Sequence, residues 1–493
     1  MKNPRCFAFL MLILVLSSCA VSKKKYNPAH KFGRDVLEQD YDLMSKILQD
    51  KHPSLYWYTS KDSMNLYFSR YRTLIKDSMT EPEFTWTVLA PLVNKIHCGH
   101  TSIEPSTIYE RWLDDTKLIT FPYNMKVWND TMVVTTPVGG NVFPLKRGTI
   151  IQSINGVRAS AITSVMMDRL PMDGYAANGA LLYISSNFPE LHRAVFGISE
   201  KYKIVYQNES GQWKDTSLSA YFPDSDSTIR KQLKTTVVKK KKPGRHEMYR
   251  TMDIDSTGRF AYMKLNTFSE GRLRRFFRKS FNKLDAQQTP NLIVDLRYNG
   301  GGAVLLSTLF TRYLTRKPFR VADSAYTAIK SLAPYTSQYE YGMTRNLGLL
   351  LMASKKKDGL RHVKVYETKF YKPKKRHHFE GKLHLIVSGP TFSAATLVAN
   401  ALRGQEHVTL IGEETGGGAY GNSGISIPMV YLPNTRIRLR MPLFRLVQYH
   451  HQESEKGHGI IPDIIIPTSH EAIINGYDKK LKVVKDIISK EKK

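Results

Sequence analysis

Four short apolar runs, at residues 260–265, 291–296, 383–387 and 408–411, lie in the second half of the 493-residue chain, with helical patterns at 303–314 and 394–402 between them. Runs of that length without polar alternation suit strands covered on both faces, and strands alternating with helices predict a parallel α/β sheet. Ahead of this block the pattern differs. Residues 32–94 carry apolar side chains at helical spacing, as in Leu37, Tyr41, Met44 and Leu48, punctuated by Pro53 and Pro82, which predicts about three helices. Short segments at 125–128, 132–134 and 202–206 predict strands, with Asn129-Asp130 as a turn. The expected class is therefore α+β and multidomain: a helical N-terminal region, a β-rich domain and an α/β core. A lysine-rich stretch with Pro243 and Gly244 reads as a linker, and the tail from Tyr477 as a surface helix.

Charge is the unusual part of the composition, with 73 Lys and Arg against 43 Asp and Glu, a net of +30. The excess lies partly in runs at 23–25, 239–242, 355–357 and 374–376. Aromatic residues do not interleave with these runs, and no zinc-finger or helix-turn-helix spacing accompanies them, so solvated loops are expected and a nucleic-acid partner is not. At the N-terminus Lys2 and Arg5 precede an apolar run at 7–16, too short to span a bilayer, and then Leu16-Ser17-Ser18-Cys19. That order looks like a bacterial lipobox, which makes Cys19 the expected lipidation site and an envelope membrane an expected partner. Of the three cysteines only Cys98 then remains free, so no internal disulfide is expected.

Two glycine-rich loops join a predicted buried strand to a predicted helix. In Asp295-Leu296-Arg297-Tyr298-Asn299-Gly300-Gly301-Gly302 the glycines allow a sharp turn that leaves N–H groups pointing outward, a place for negative charge. No Gly-Lys-Ser/Thr follows, so a phosphate loop is not expected. In Ser388-Gly389-Pro390-Thr391-Phe392-Ser393-Ala394-Ala395 the serine falls at the start of a helix. Local pattern leaves two readings open, an ordinary N-cap or a nucleophile beside the Ala394 N–H.

Several segments resemble the C-terminal-processing (tail-specific) serine peptidase family. Residues 293–302 look like its Asp-Leu-Arg-x-Asn-x-Gly-Gly signature, Phe392-Ser393-Ala394-Ala395 like its nucleophile segment, residues 412–418 like its glycine-rich turn and Gly459-Ile460-Ile461-Pro462-Asp463 like its closing motif. Residues 145–157 resemble a strand and turn of a PDZ domain. The resemblance covers residues 34–470 and implies a crotonase-like core with Ser393 as nucleophile. Many members pair this serine with a lysine in the glycine-rich turn; the matching residue here is Gly418. A tricorn-like branch uses a histidine instead, and His97-Cys98-Gly99-His100-Thr101 resembles the segment that carries it, with Cys98 where aspartate is usual. The resemblance thus implies His100 as general base, Glu455 or Glu453 as its orienting acid, and the amides of Gly301, Gly302 and Ala394 as oxyanion donors.

On this reading residues 1–18 are a signal peptide, 19–33 a tether, 34–114 the helical region, 115–235 the PDZ-like domain, 236–250 a basic linker, 251–470 the catalytic core and 471–493 a basic helix. The expected activity is hydrolysis of exported or envelope proteins, with no cofactor, the PDZ-like domain taking an extended peptide by strand addition. The competing class is an inactive relative that holds a peptide or ligand; an esterase-type acyl transfer on the same site is a third. His97, Cys98 and His100 lack a second ligand pair at zinc spacing, so no metal is expected. Cys98 has no oxyanion glycine beside it, and His458 is the substitute base should His100 lie far from Ser393. Anchoring on the periplasm-facing side of the outer membrane is the expected location.

Overall fold

The chain is described from a computed structural model covering residues 26–128, 130–139, 144–223, 244, 246–450 and 452–490. The signal segment, Cys19 and residues 236–243 and 245 of the basic linker fall outside the described residues.

The apolar runs assemble as their pattern requires. Strands Arg250–Ile254, Phe260–Leu265, Asn291–Asp295, Lys382–Val387, Val408–Gly412 and Ile464–Ile465 form one six-stranded sheet in that order. The first pair is antiparallel and every later pair parallel. Alternate residues serve opposite faces. Leu292, Val294, Leu383 and Leu385 pack under helices Leu273–Ala286, Val304–Leu314 and Ala394–Leu402, while Ile293, Ile386 and Ile411 meet Val484 and Ile488 of helix Lys479–Lys490. Parallel strands place all their C-terminal ends on one edge, so Asp295 and Val387 deliver both glycine-rich loops to the same side.

The N-terminal helices are Arg34–Lys51, Lys61–Arg72 and a broken third, Glu81–Phe84 running through a π-turn at Thr85–Leu89 into Ala90–Asn94. Pro82 starts that third helix: it sits in the first turn, behind a Thr80–Glu83 capping box, where its missing N–H costs nothing. This region has no core of its own. Leu37, Met44, Phe84 and Val88 share one hydrophobic cluster with Phe319, Ala325, Leu439 and Phe444. Strand Ser102–Glu104 also pairs with Arg438–Arg440. A second antiparallel sheet, built on Ala322–Thr327, Phe444–Gln448 and Gly421–Gly424, supplies the other wall of that cluster.

The middle region does have a separate core, from Phe121 and Tyr123 to Leu218 and Ala220. It combines the hairpin Tyr123–Trp128/Thr131–Pro137 with a four-stranded sheet and helices Ala159–Met167, Asn178–Ser186 and Phe188–Phe196. Asn155 and Gly156, which follow strand Ile151–Ile154, both have positive φ and form a tight turn. Strand addition finds an obstacle here. Ser185 Oγ accepts from the Val127 N–H at 2.9 Å, and its one hydrogen faces both the Leu181 carbonyl at 2.8 Å and the Val127 carbonyl at 3.2 Å. In an antiparallel pair both groups of one residue point the same way, so the edge of Tyr123–Trp128 facing away from its partner strand is covered at Val127 by helix Asn178–Ser186. A peptide could not pair there without displacing that helix.

Candidate active site

Ser393 decides between the two readings its sequence left open. It stands at the N-terminus of helix Ala394–Leu402 with φ +53° and ψ −121°, and its side chain makes no capping hydrogen bond. An ordinary N-cap has extended backbone and binds an amide of the first turn; Ser60 does so, accepting from the Ser63 N–H. Ser393 has neither property. Holding a non-glycine residue at such angles costs on the order of 1–3 kcal/mol, which persists only where surroundings enforce it. The same strained strand-to-helix corner presents the nucleophile of other serine hydrolases.

The surroundings are visible. The Phe392 N–H donates to the Asn299 carbonyl at 3.0 Å, and Thr391 Oγ1 donates to the Leu296 carbonyl at 2.9 Å, so the serine loop is fastened to the first glycine loop. Fully buried Asn299 anchors that loop in turn, its Nδ2 donating to the Leu265 carbonyl at 3.1 Å. Arg297 is bound between Asp295 and Asp478, with Asp295 also accepting from the Tyr262 hydroxyl. This ion-pair network holds the strand end from which the loop departs.

Gly301 lies against the nucleophile. A Cβ on it would fall 2.8 Å from Ser393 Cβ and 2.9 Å from the Ala394 nitrogen, and its φ of +101° suits only glycine. Among the described residues no acceptor takes the Ala394 N–H, which stands free at the start of the helix. Gly301 differs from expectation. Its N–H donates to Asn299 Oδ1 at 2.9 Å, because Asn299 folds its side chain back over the turn, so that amide is already engaged. Gly302 is exposed and bridges to Phe268, and its N–H has no acceptor among the described residues.

The fold brings His100 to this corner from the N-terminal region. Its ring packs on Phe392, the residue before Ser393, with centroids 4.6 Å apart. A Cβ on Gly99 would lie 2.6 Å from the Phe392 ring, so the whole 97–100 turn is seated on the nucleophile segment. Burial, and then the charge of Arg440, push the His100 pKa down to about 4, which keeps the imidazole neutral near neutral pH and a weaker base than a free one. No hydrogen bond joins it to Ser393, and its Nδ1 is buried without a partner among the described residues.

Neither expected glutamate supplies that partner. Glu455 forms an ion pair with Arg403, and Glu453 accepts from the Tyr420 hydroxyl at 2.9 Å. Both belong to the short 3₁₀ turn Glu453–Glu455, which faces the C-terminal end of the serine's helix. His458, the substitute base, is exposed and lies 3.8 Å from Glu414. Burial pushes the Cys98 thiol up to about 12, which leaves it a thiol and a poor nucleophile.

Asp173, from the loop before helix Asn178–Ser186, was not legible in the sequence. Its carboxyl accepts from the Gly99 N–H at 2.7 Å and the Gly418 N–H at 3.3 Å, tying the histidine turn to the glycine-rich turn. Burial outweighs these bonds and pushes its pKa up to about 7. Gly418 itself has no room for a side chain, lysine included, since a Cβ would lie 2.5 Å from the Gly421 carbonyl oxygen.

The strained serine beside an open amide defines the site as that of a serine-type hydrolase. Comparison with known families narrows the class: residues 259–466, which carry the serine and both glycine-rich loops, match Peptidase family S41. The fold is similar to that of mature CPAF, with TM-score 0.63 and 13% identity over 92% of this chain and 97% of that one. CPAF complexed with lactacystin gives 0.63 at 13% over 92% and 98%. A putative peptidase from Parabacteroides merdae gives 0.46 at 14% over 92% and 96%. At these identities the CPAF likeness is one of fold. No curated protein sequence matches the chain.

Proposed function

We propose that the chain hydrolyses peptide bonds of exported or envelope proteins through an acyl-enzyme on Ser393, with His100 as general base. The observation that carries this reading is the backbone of Ser393, φ +53° at a helix start without a capping bond. The Ser393 hydroxyl attacks the scissile carbonyl and gives its proton to the neutral His100 imidazole. The carbonyl oxygen becomes an oxyanion stabilised by the Ala394 N–H at the positive end of its helix. The imidazolium then protonates the leaving amine, and water releases the acyl group by the reverse sequence. His100 reaches the hydroxyl only after a side-chain adjustment, as it is not bonded to Ser393 at rest; catalytic hydrogen bonds commonly tighten only with substrate bound. Lipidation at Cys19 and an envelope location belong to the same proposal, supported by the order of charge, apolar run and cysteine at the N-terminus.

A second reading, a ligand-holding relative without turnover, is favoured by the unpartnered Nδ1 of His100. Cleavage of denatured casein separates the two. The peptidase reading expects turnover that Ser393→Ala abolishes while the thermal unfolding curve stays in place. Turnover that survives in Ser393→Ala removes the mechanism, and none in the parent favours the binder.

A further inference from the structure

Helix Gly342–Met352 is amphipathic the wrong way round for a helix on a water-facing surface. Two of its three polar residues are bonded to the protein, Thr344 being exposed: Arg345 donates to the Glu340 carbonyl at 2.9 Å, and Asn346 Oδ1 accepts from the Leu332 N–H at 3.0 Å. Its inner side is closed by Gly342, where a Cβ would meet the Thr336 carbonyl oxygen at 1.9 Å, and by buried Leu349. The apolar residues face outward instead. Met343 is 84% exposed and Leu351 79%, with Leu347, Leu350 and Met352 exposed beside them and Tyr341 at the start. Positions 343, 347, 350 and 351 recur at helical spacing, so they form one continuous stripe.

A stripe of that kind marks an interaction surface. The charge next to it selects the occupant. The helix runs directly into the hairpin Ser354–Lys355/Arg361–His362, which displays Lys355 and Lys357. Lys356 is held by Glu367, and the acidic residue at the tip, Asp358, is bound to His362. A symmetric dimer through this stripe would set each lysine hairpin near its copy, in a chain of net charge +30. An anionic bilayer offers the opposite charge together with an apolar layer for the leucines and methionines. We infer that this helix and hairpin dock on an anionic lipid surface, the apolar stripe entering the headgroup boundary and Lys355 and Lys357 meeting lipid phosphates. The inference does not depend on Cys19, though an acyl chain there would make this contact the second of the two signals that stable anchoring takes.

Co-sedimentation of the full chain carrying Cys19→Ala, which removes any acyl contribution, tests it. The protein should pellet with vesicles of phosphatidylglycerol and phosphatidylcholine, less so as salt rises, and stay in solution with phosphatidylcholine alone. Leu347→Glu with Leu351→Glu should abolish pelleting. Lys355→Ala with Lys357→Ala, which leaves the helix untouched, should weaken it about 25-fold, at about fivefold per cation. Casein cleavage should be unchanged in both variants. Absence of pelleting, equal pelleting by parent and variants, or a dimer in light scattering that the leucine variant dissociates would each overturn the proposal.

Discussion

Replacing Gly301 by alanine strikes the site through geometry alone. The added methyl falls 2.8 Å from Ser393 Cβ and 2.9 Å from both the Ala394 nitrogen and the Phe392 carbonyl oxygen, distances that real Cβ atoms do not tolerate. It also places an L-residue at φ +101°, for about 1–3 kcal/mol of backbone strain. None of the three close atoms is a flexible side-chain end, so the serine loop must move, and the methyl stands in front of the Ala394 amide. Loss of one oxyanion donor lowers kcat by about two to three powers of ten, and that is the effect expected on kcat for a fluorogenic peptide. Gly300→Ala is the matched control one residue away: a Cβ there meets nothing within 4 Å, so rate and stability should stay near the parent, within about 0.5 kcal/mol. Comparable rates for Gly301→Ala and the parent would mean that the oxyanion does not form beside Ala394, and the reasoning would fail.

Other expectations follow from the same contacts. Asp173→Ala leaves the buried Gly418 amide and the half-buried Gly99 amide without their acceptor, at about 1–3 kcal/mol for the former and less for the latter, and should lower both the unfolding midpoint in denaturant and peptidase activity. Asp173 and His100 also work against each other in the pH dependence of stability. The Asp173 pKa is raised from 3.8 to about 7, so its contribution is full below about 4 and is lost as pH rises through about 7. The His100 pKa is lowered from 6.5 to about 4, so its contribution is present above about 6.5 and is lost as pH falls through about 4. Denaturant titrations should show stability gaining a steeper rise with pH in Asp173→Asn and losing part of its rise in His100→Gln; identical slopes in all three proteins would refute the assignment. Gly418→Lys should lower stability through the clash with Gly421 and bring no gain in casein turnover, whereas a faster enzyme would show that a lysine base can be accommodated after all.

The α/β sheet was readable because strands covered on both faces carry apolar residues at successive positions, as in Leu292-Ile293-Val294 and Leu385-Ile386-Val387, and Ile293 and Leu292 do serve opposite helical layers. The N-terminal helices were readable too, but not their dependence on the core, since a stripe such as Leu37, Tyr41 and Met44 says that a face is buried and not against what. The antiparallel sheet around Ala322–Thr327 escaped notice because its strands are short and mix Ser, Asp and Arg with few apolar residues. At the site, the serine's position was legible and its backbone was not: N-cap and nucleophile have the same sequence signature and differ in φ and ψ. Asp173 gave no signal, because Pro-Met-Asp-Gly reads as an ordinary turn and its partners, Gly99 and Gly418, are distant in sequence. The glutamates were placed by proximity to the closing motif, and the fold spends that turn on Arg403 and Tyr420 instead.

The claim that Ser393 is an activated nucleophile is tested most directly by a fluorophosphonate probe followed by peptide mapping of the folded protein. A single adduct on Ser393, absent from Ser393→Ala and formed much more slowly in His100→Gln, is the predicted result. A folded protein that takes no adduct, or takes it on another residue, would contradict the account.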